Sequence, residues 1–239
     1  MKYYIIQASL NLKIVGSFPQ TNDAKHNCDI WNEPKFIEHQ ELNKLDFTPI
    51  TSNAILRAKS KLTDLISTSG IGFTRKLLVS GKLKSIIESH ANPDIQYFEA
   101  PIIHNNNFIN DYYVLYVNKA GFEFLDFVNC DFYLMDGLFD EKQKLTVNNY
   151  EDFLMQLKSI EIKGWPNNMK IKKINIIEGA VNFLALKNVE GGVQYFVSET
   201  LKNEIEDAGC TGIEFQPSEL SYNEWTISGG ERERIYGKS

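Results

Sequence analysis

The sequence predicts an α+β fold with a largely antiparallel sheet and about four helices. Segments rich in Val, Ile, Tyr and Phe follow one another closely along the 239-residue chain, and only a few helical patterns interrupt them. The two kinds of segment do not alternate regularly, as they would in a doubly wound parallel sheet. Hydrophobic residues make up 43% of the chain and aromatic residues 12%, which is enough to bury a core without metal or disulfide help.

The first fifty residues contain two predicted strands and a long loop. The strands lie at 2–7 and 12–18, where apolar residues are frequent. Residues 19–50 are polar and interrupted by prolines, which predicts a loop. Trp31 and Phe36 are the apolar anchors expected for it.

Two helices and a hairpin are expected in the next part of the chain. The first helix covers 54–68, because apolar residues recur there at helical spacing, and the second covers 81–90. Strands at 95–103 and 111–118 flank the turn-forming run 104–107 and should pair as a hairpin.

The second half of the chain continues this mixture. Residues 121–135 are expected to supply one or two strands, and 171–197 three short strands broken at 178–179 and 191–192. A helix is predicted over 149–160. The residues of its inward face are Phe153, Leu154, Leu157 and Ile160.

The clearest local signals lie at 197–217, which predicts a helix, a tight turn and a strand. Ser198 is a good N-cap, and Gly209 is expected to end the helix in the left-handed conformation. Ile213 and Phe215 alternate with polar residues, as in a half-buried strand. The apolar stripe of the helix consists of Leu201, Ile205 and Ala208.

This segment also resembles a known family. The run Val-Ser-x-x-Leu-Lys-x-x-Ile-x-x-Ala-Gly-x-Thr-Gly-Ile-x-Phe, at Val197–Phe215, is similar to the C-terminal signature of the eleventh family of bacterial polymorphic-toxin immunity proteins. Compatible segments extend the resemblance over roughly 60–217, although the family's central acidic stretch is matched only loosely, around Asp126 and Asp131. The resemblance implies a protein that binds and neutralises a toxin made by the same or a neighbouring cell. It implies no catalytic residues.

The helix-start signals occur twice, 118 positions apart. Seven residues align with identical ones without a gap, namely Val79, Ser80, Leu83, Lys84, Ile87, Glu88 and Ile95 with Val197, Ser198, Leu201, Lys202, Ile205, Glu206 and Ile213. Tyr97 aligns with Phe215. Either a duplication, which would give pseudo-repeated lobes at 1–118 and 119–228, or convergence on common helix-start chemistry explains the match.

Charge and composition limit the function classes. A net charge of -6 argues against nucleic-acid binding, since such proteins usually present a basic face. The three cysteines are too far apart for a metal or redox motif, and no secretory signal or apolar run approaching ~20 residues is found. We therefore expect a cytoplasmic protein without a cofactor. The resemblance implies one immunity-type domain over 1–228, and a flexible tail is expected over 229–239.

Catalytic and metal motifs are weak. The run Gly70–Arg75 begins like a dinucleotide-binding fingerprint, but it lacks the third glycine and follows a helical pattern. The histidines lack the paired spacing of metal ligands; they are His26, His39, His90 and His104. An alternative function, a small hydrolase-like enzyme with a dispersed active site, would draw on Asp126, Asp131 and His104.

One region favours binding of a protein partner. Its carboxylates are Asp126, Asp131, Asp136, Asp140 and Glu141, and the aromatic residues among them are Phe122, Phe124, Phe127, Phe132, Tyr133 and Phe139. The rings are either core residues or anchors of an interface, and the acids either a solvated edge or a rim that faces a basic partner. These five acids, with Trp31 and Phe36, are the candidate contacts to a cognate toxin domain.

Overall fold

The computed structural model describes residues 2–68, 73 and 76–238, which form six α-helices and fifteen strands in three mostly antiparallel sheets. The predicted α+β class is confirmed. The strands are β1 (Tyr3–Ala8), β2 (Thr21–Lys25), β3 (Asn53–Leu56), β4 (Leu65–Ile66), β5 (Leu77–Ser80), β6 (Ile95–Glu99), β7 (Ile102–His104), β8 (Asn107–Ile109), β9 (Tyr112–Val117), β10 (Phe132–Asp136), β11 (Asp140–Leu145), β12 (Asn167–Ile171), β13 (Phe183–Val189), β14 (Gly192–Ser198) and β15 (Ile213–Pro217). The helices are α1 (Leu12–Val15), α2 (Gly81–Glu88), α3 (Tyr150–Lys163), α4 (Glu199–Asp207), α5 (Tyr222–Thr226) and α6 (Glu231–Tyr236).

The largest sheet has the strand order β11-β10-β12-β13-β14-β1-β15. Side chains of its central strands pack into two cores, one on each face of the sheet, because successive side chains of a strand point to opposite faces. Ile5 and Phe196 enter the core that contains the buried residues of α3. Ile6 and Val197 enter the core that contains those of α2 and α4.

The two smaller sheets have the orders β4-β5-β9-β6 and β2-β3-β7-β8. The predicted pairing of residues 95–103 with 111–118 is confirmed for β6 and β9. The chain between them instead forms an arm, the β7–β8 hairpin, which joins the other small sheet. Asn105 and Asn106 make its turn with positive φ angles, a conformation that Asn tolerates better than most residues.

The 118-residue offset corresponds to a structural repeat. The first unit consists of β4, β5, α2, β6 and β9, and β9 lies between β5 and β6, antiparallel to both. The second unit consists of β13, β14, α4, β15 and β1, and β1 lies in the same way between β14 and β15. The registers also agree, with Leu65 opposite Val79 where the second unit has Phe183 opposite Val197. This agreement supports a duplication.

Equivalent hydrogen bonds are also found in the two units. Ser80 caps α2 and Ser198 caps α4. The Ser80 hydroxyl donates a 2.7 Å hydrogen bond to the Asp64 carboxylate, and the Ser198 hydroxyl donates a 2.7 Å hydrogen bond to the Asn182 side-chain carbonyl. Asp64 and Asn182 also lie 118 residues apart. Ala91 and Gly209, at the helix ends, both have positive φ. The expected helix, turn and strand at 197–217 are thus confirmed, except that Ala208 of the apolar stripe is exposed.

The repeated units do not follow the lobe boundaries predicted from sequence, 1–118 and 119–228. Because β1 completes the second unit, residues 1–118 and 119–228 do not form separate bodies. The two units instead share one core, in which Leu83 and Ile87 of α2 are buried together with Leu201 and Ile205 of α4.

Two predicted elements near the N-terminus are also wrong. Residues 12–18 contain the short helix α1, since Asn11 caps its start and Gly16 ends it with a φ of 77°. Residues 54–68 form β3 and β4 rather than a helix. The backbone N–H groups of Arg57, Lys61 and Asp64 donate to the carbonyls of Gln20, Val15 and Thr211 and not within a helix. Side chains of the segment also hydrogen-bond to the fully buried Gln20; they are Ser60, Thr63 and Ser67.

The predicted flexible tail is ordered. Residues 231–236 form α6, and the Arg232 guanidinium makes two hydrogen bonds, of 2.7 and 2.8 Å, with the fully buried Glu214 carboxylate on β15. Ser9 and the Leu10 backbone N–H donate to the same carboxylate at 2.9 Å. A buried charge that is paired and hydrogen-bonded in this way fixes the C-terminal segment to the sheet.

Candidate partner-binding surface

The segment between the two units, residues 119–180, has no copy elsewhere in the described part of the chain. It contributes β10, β11, β12 and α3. Phe153 of α3 packs against Phe122, Phe127 and Phe132, with ring centroids 4.8–5.8 Å apart. These aromatic residues are therefore core residues.

Helix α3 carries apolar side chains on both of its faces. Phe153, Leu157 and Ile160 are buried against the sheet. Met155 and Ile162, which lie seven residues apart and hence on one face, point away from it and are exposed. Leu154 was predicted to face inward, but it is also largely exposed. Two such exposed apolar side chains, with the exposed polar residues Lys158 and Ser159 between them, are unusual on the solvent side of a helix that already has a core-facing side.

The β10–β11 hairpin continues this apolar exposure. Gly137 makes the turn with a φ of 70°, and Leu138 and Phe139 follow it at the tip. The Trp165 indole lies over the glycine, 3.8 Å from where a Cβ atom would be. The Gly137 N–H donates to the Pro166 carbonyl at 2.8 Å, and Asn168 donates to the Gly137 carbonyl at 2.6 Å. The tip and the indole are thus held together.

We name five exposed apolar residues of this segment the α3 surface. They are Leu138, Phe139, Met155, Ile162 and Trp165, with exposed fractions of 61%, 86%, 66%, 78% and 72%. Among the described residues, only three other large apolar side chains are more than 60% exposed, namely Trp31, Val128 and Ile227. Single exposed apolar residues are common, and a contiguous group of them is typical of an interaction surface. These five lie on α3, just after it, and on the hairpin tip that Trp165 covers.

The acids predicted to contact a partner lie in the same segment, but they do not form an acidic patch. Asp131 pairs with Lys144 at 2.5 Å, Asp136 with Lys142 at 3.7 Å, and Glu141 with Lys172. Asp140 lies opposite Asp136 in the hairpin, and Asp126 accepts a hydrogen bond from Asn129. Residues 131–173 contain seven acids and seven lysines, so the chain's net charge of -6 lies elsewhere.

The two predicted loop anchors differ in exposure. Trp31 is 74% exposed and lies outside the α3 surface. Phe36 is fully buried, where its ring packs edge-on against His39, so it cannot contact a partner. Phe36 therefore holds the loop to the core, which is the other role expected of it.

The residues named for an enzyme are not brought together. Asp126 and Asp131 flank the loop before β10 in the largest sheet, whereas His104 ends β7 in a small sheet. No group of His, Cys, Asp and Glu that could hold a metal is present among the described residues. Burial raises the pKa of the Cys130 thiol to about 12, so this thiol stays protonated. Apart from Phe73, the Gly70–Arg75 run lies outside the described residues.

A cleft of about 460 Å³ is the best alternative site. Its walls include Tyr116, Lys187 and Tyr195, and the nearly buried Lys76 ammonium lies 3.4 Å from Glu38 at one side. Burial raises the pKa of Tyr195 far above its usual range, which leaves its hydroxyl neutral. The cleft has the size of a small-molecule site.

No protein-family model matches the sequence, and no curated protein is significantly similar to it. None of the helices in the described ranges has the length and apolar character that a membrane span requires.

The sequence pattern and the structure draw attention to the same segment through different residues. The pattern drew attention to the acids and aromatic rings around the hairpin, whereas the exposed groups are Trp165 and the outer side of α3. The sequence does contain a signal for this surface. Phe153 and Leu157 define the buried side of the helix, and Met155 and Ile162 are apolar residues on its other side.

Proposed function

We propose that the protein is a non-catalytic immunity protein that binds a cognate bacterial toxin domain through the α3 surface and covers the toxin's active site. The observation that carries the proposal is the group of exposed apolar side chains on α3 and the neighbouring hairpin. Large aromatic side chains at such sites commonly supply most of the affinity of a protein interface. The resemblance of residues 197–215 to the immunity family gives the kind of partner.

The proposal predicts protection by stoichiometric binding. Co-expression with the neighbouring toxin should restore growth, and the purified pair should co-elute at a fixed molar ratio. Protection at a small molar fraction of the toxin, with chemical modification of the toxin, would instead support an enzyme.

The cleft beside Lys76 is the observation that favours the enzyme alternative. Exchange of Lys187, on the cleft wall, for Ala separates the two functions. A bound and occluded toxin requires no group in the cleft, so protection should be unchanged by Lys187→Ala. Loss of protection by a folded Lys187→Ala variant would move the functional site to the cleft.

A further inference from the structure

We infer that the space between β14 and β15, which β1 fills, is a binding site for a strand of the sequence Tyr-Tyr-apolar-apolar, and that two equivalent halves of the chain exchange this strand. We name this space the second slot, and the space between β5 and β6, which β9 fills, the first slot. The inference concerns what the slots bind, so it goes beyond the proposed function and does not depend on it.

The strands that fill the two slots have matching sequences and registers. Residues Tyr3–Ile6 of β1 read Tyr-Tyr-Ile-Ile, and residues Tyr112–Leu115 of β9 read Tyr-Tyr-Val-Leu. The first tyrosine of each strand lies opposite the N-cap serine of its unit, Ser198 for β1 and Ser80 for β9. Equivalent residues of the two strands therefore occupy equivalent places in the two slots.

The first tyrosine of each strand makes the same side-chain contact. The Tyr3 hydroxyl donates to the Ala180 carbonyl at 2.8 Å and has the Val181 carbonyl at 3.4 Å. The Tyr112 hydroxyl donates to the Thr63 carbonyl at 3.0 Å, and Thr63 lies 118 positions before Val181. Each slot thus has an acceptor for this hydroxyl at its equivalent place.

The second tyrosine of each strand packs against a lysine. Lys202 Nζ lies 5.3 Å from the centre of the Tyr4 ring and 5.5 Å from the centre of the Phe215 ring. Lys84 Nζ lies 5.2 Å from the centres of the Tyr113 ring and of the ring equivalent to Phe215. Each lysine also pairs with the glutamate four residues later, at 2.6 Å. A cation held over two rings favours an aromatic residue at this position of the strand.

The two apolar residues that follow enter opposite cores. Ile6 and Leu115 both lie in the core that contains the buried residues of α2 and α4. Ile5 enters the core of α3, and Val114 enters the core that contains the buried residues of β3. All four are at most 4% exposed. Both slots therefore require apolar residues at these two positions.

The order of elements shows that each half supplies the strand of the other. Residues 1–111 begin with β1, continue through an insertion at 9–64, and then form β4, β5, α2 and β6. Residues 112–217 follow the same order, with β9, an insertion at 118–182, β13, β14, α4 and β15. The second insertion is the longer one, which is why β9 begins 109 residues after β1 while the aligned residues of the other elements lie 118 apart.

Each of these two strands lies in the slot of the opposite half, since β1 fills the slot formed by β14 and β15, and β9 fills the slot formed by β5 and β6. This is the arrangement of a strand-exchanged dimer whose two copies are joined in one chain. The partner that each half fits is therefore another half of the same kind.

The first test grafts the β9 sequence onto β1 in the full chain. The variant carries Ile5→Val, Ile6→Leu, Gln7→Tyr and Ala8→Val. Gln7 and Ala8 line a cleft of about 440 Å³, which leaves room for larger side chains. The variant should unfold cooperatively, with a thermal midpoint within about 6 °C of the wild type, because the new residues suit equivalent places.

The matched control introduces the same four residues in reverse order, as Ile5→Val, Ile6→Tyr, Gln7→Leu and Ala8→Val. It places a tyrosine where the Ile6 side chain is buried, so its midpoint should fall by about 10 °C or more. A graft that loses as much as this control would overturn the inference.

A second measurement does not depend on the graft. Tyr3→Phe and Tyr112→Phe remove equivalent hydroxyl hydrogen bonds, and each should lower the thermal midpoint by a similar amount of about 2–4 °C. A clear loss at one tyrosine with none at the other would show that the two slots recognise their strands differently, which contradicts the inference.

The exchange itself is tested by cutting the full chain between its halves. A protease site in the exposed β7–β8 turn, at Asn105 and Asn106, allows the folded protein to be cut. Because each piece holds the strand of the other's slot, the two pieces should co-elute at a 1:1 ratio in native buffer and separate in denaturant. Separation of the pieces in native buffer would overturn the exchange.

Discussion

Two regions of this chain use their apolar residues in opposite ways. The repeated units bury the stripes of α2 and α4 in one common core, and their solvent faces are charged. The segment between them buries one side of α3 and exposes the other, together with the hairpin tip and Trp165. The difference is the basis of our proposal that the repeated pair is a scaffold and that the unrepeated segment binds the partner.

The largest expected effect tests a difference between the two units themselves. Glu214→Ala should lower the free energy of unfolding by ~3–5 kcal/mol, because it leaves Arg232 buried without its partner. In the equivalent position of the first unit, the Gln96 side chain bonds to the Leu45 backbone within the described part of the chain, so Gln96→Ala should cost ~1 kcal/mol. Denaturant unfolding of both variants measures the difference. Equal losses of unfolding free energy would mean that the Glu214–Arg232 ion pair stabilises the second unit no more than the Gln96–Leu45 hydrogen bonds stabilise the first.

The next prediction concerns the shared core. Leu83→Ala and Leu201→Ala should each cost ~2–5 kcal/mol, since both side chains are fully buried at equivalent positions. Asn203→Ala, on the exposed side of α4, should stay within ~0.5 kcal/mol. Chemical denaturation provides the comparison. A similar midpoint shift for Leu201→Ala and Asn203→Ala would show that the buried face of α4 is wrongly assigned.

Smaller effects are expected at the two helix caps. Ser80→Ala and Ser198→Ala should each cost ~1 kcal/mol, because each removes an N-cap hydrogen bond to the helix backbone. The structural repeat predicts that the two losses are similar. Thermal unfolding monitored by circular dichroism would detect a difference, and a much larger loss at one serine would argue against equivalence of the units.

The smallest effect on stability should come from the α3 surface. Met155→Ala and Ile162→Ala should each change the free energy of unfolding by no more than ~0.5 kcal/mol, since both side chains are exposed. Phe153→Ala in the same helix should cost ~3–5 kcal/mol. Urea titrations of the three variants are sufficient. A loss of several kcal/mol on Ile162→Ala would show that the residue supports the fold rather than a partner.

Local chemistry explains which parts could be predicted from the sequence. The Ser198 cap, the Gly209 stop and the alternation of Ile213 and Phe215 act within a few residues, so their pattern is readable in one dimension. The helix predicted over 54–68 failed because Gln20, distant in sequence, bonds to the polar side chains of that segment. Tertiary hydrogen bonds of this kind leave no periodic signal.

The site was harder to predict than the fold for the same reason. Trp31 and Phe36 are both aromatic residues in one polar loop, and only the packed structure shows that the first is exposed and the second buried. The acids of the hairpin appeared to be a patch because their lysine partners come from neighbouring strands and are read separately along the chain. The Arg232–Glu214 pair was likewise hidden inside a segment that looked like a charged tail.

The position of β1 has a consequence for the order in which the chain folds during synthesis. The strands of the first unit all lie between residues 65 and 117, so this unit has its complete set of strands once that stretch has left the ribosome. Residues 3–8 emerge earlier, but their two neighbouring strands are not made until residues 192–198 and 213–217 follow. Strand β1 is therefore made well before either of the strands that it pairs with, and until then it has an open edge on each side. A chain shortened by these few residues would lose the middle of its C-terminal unit, far along the sequence from the deletion.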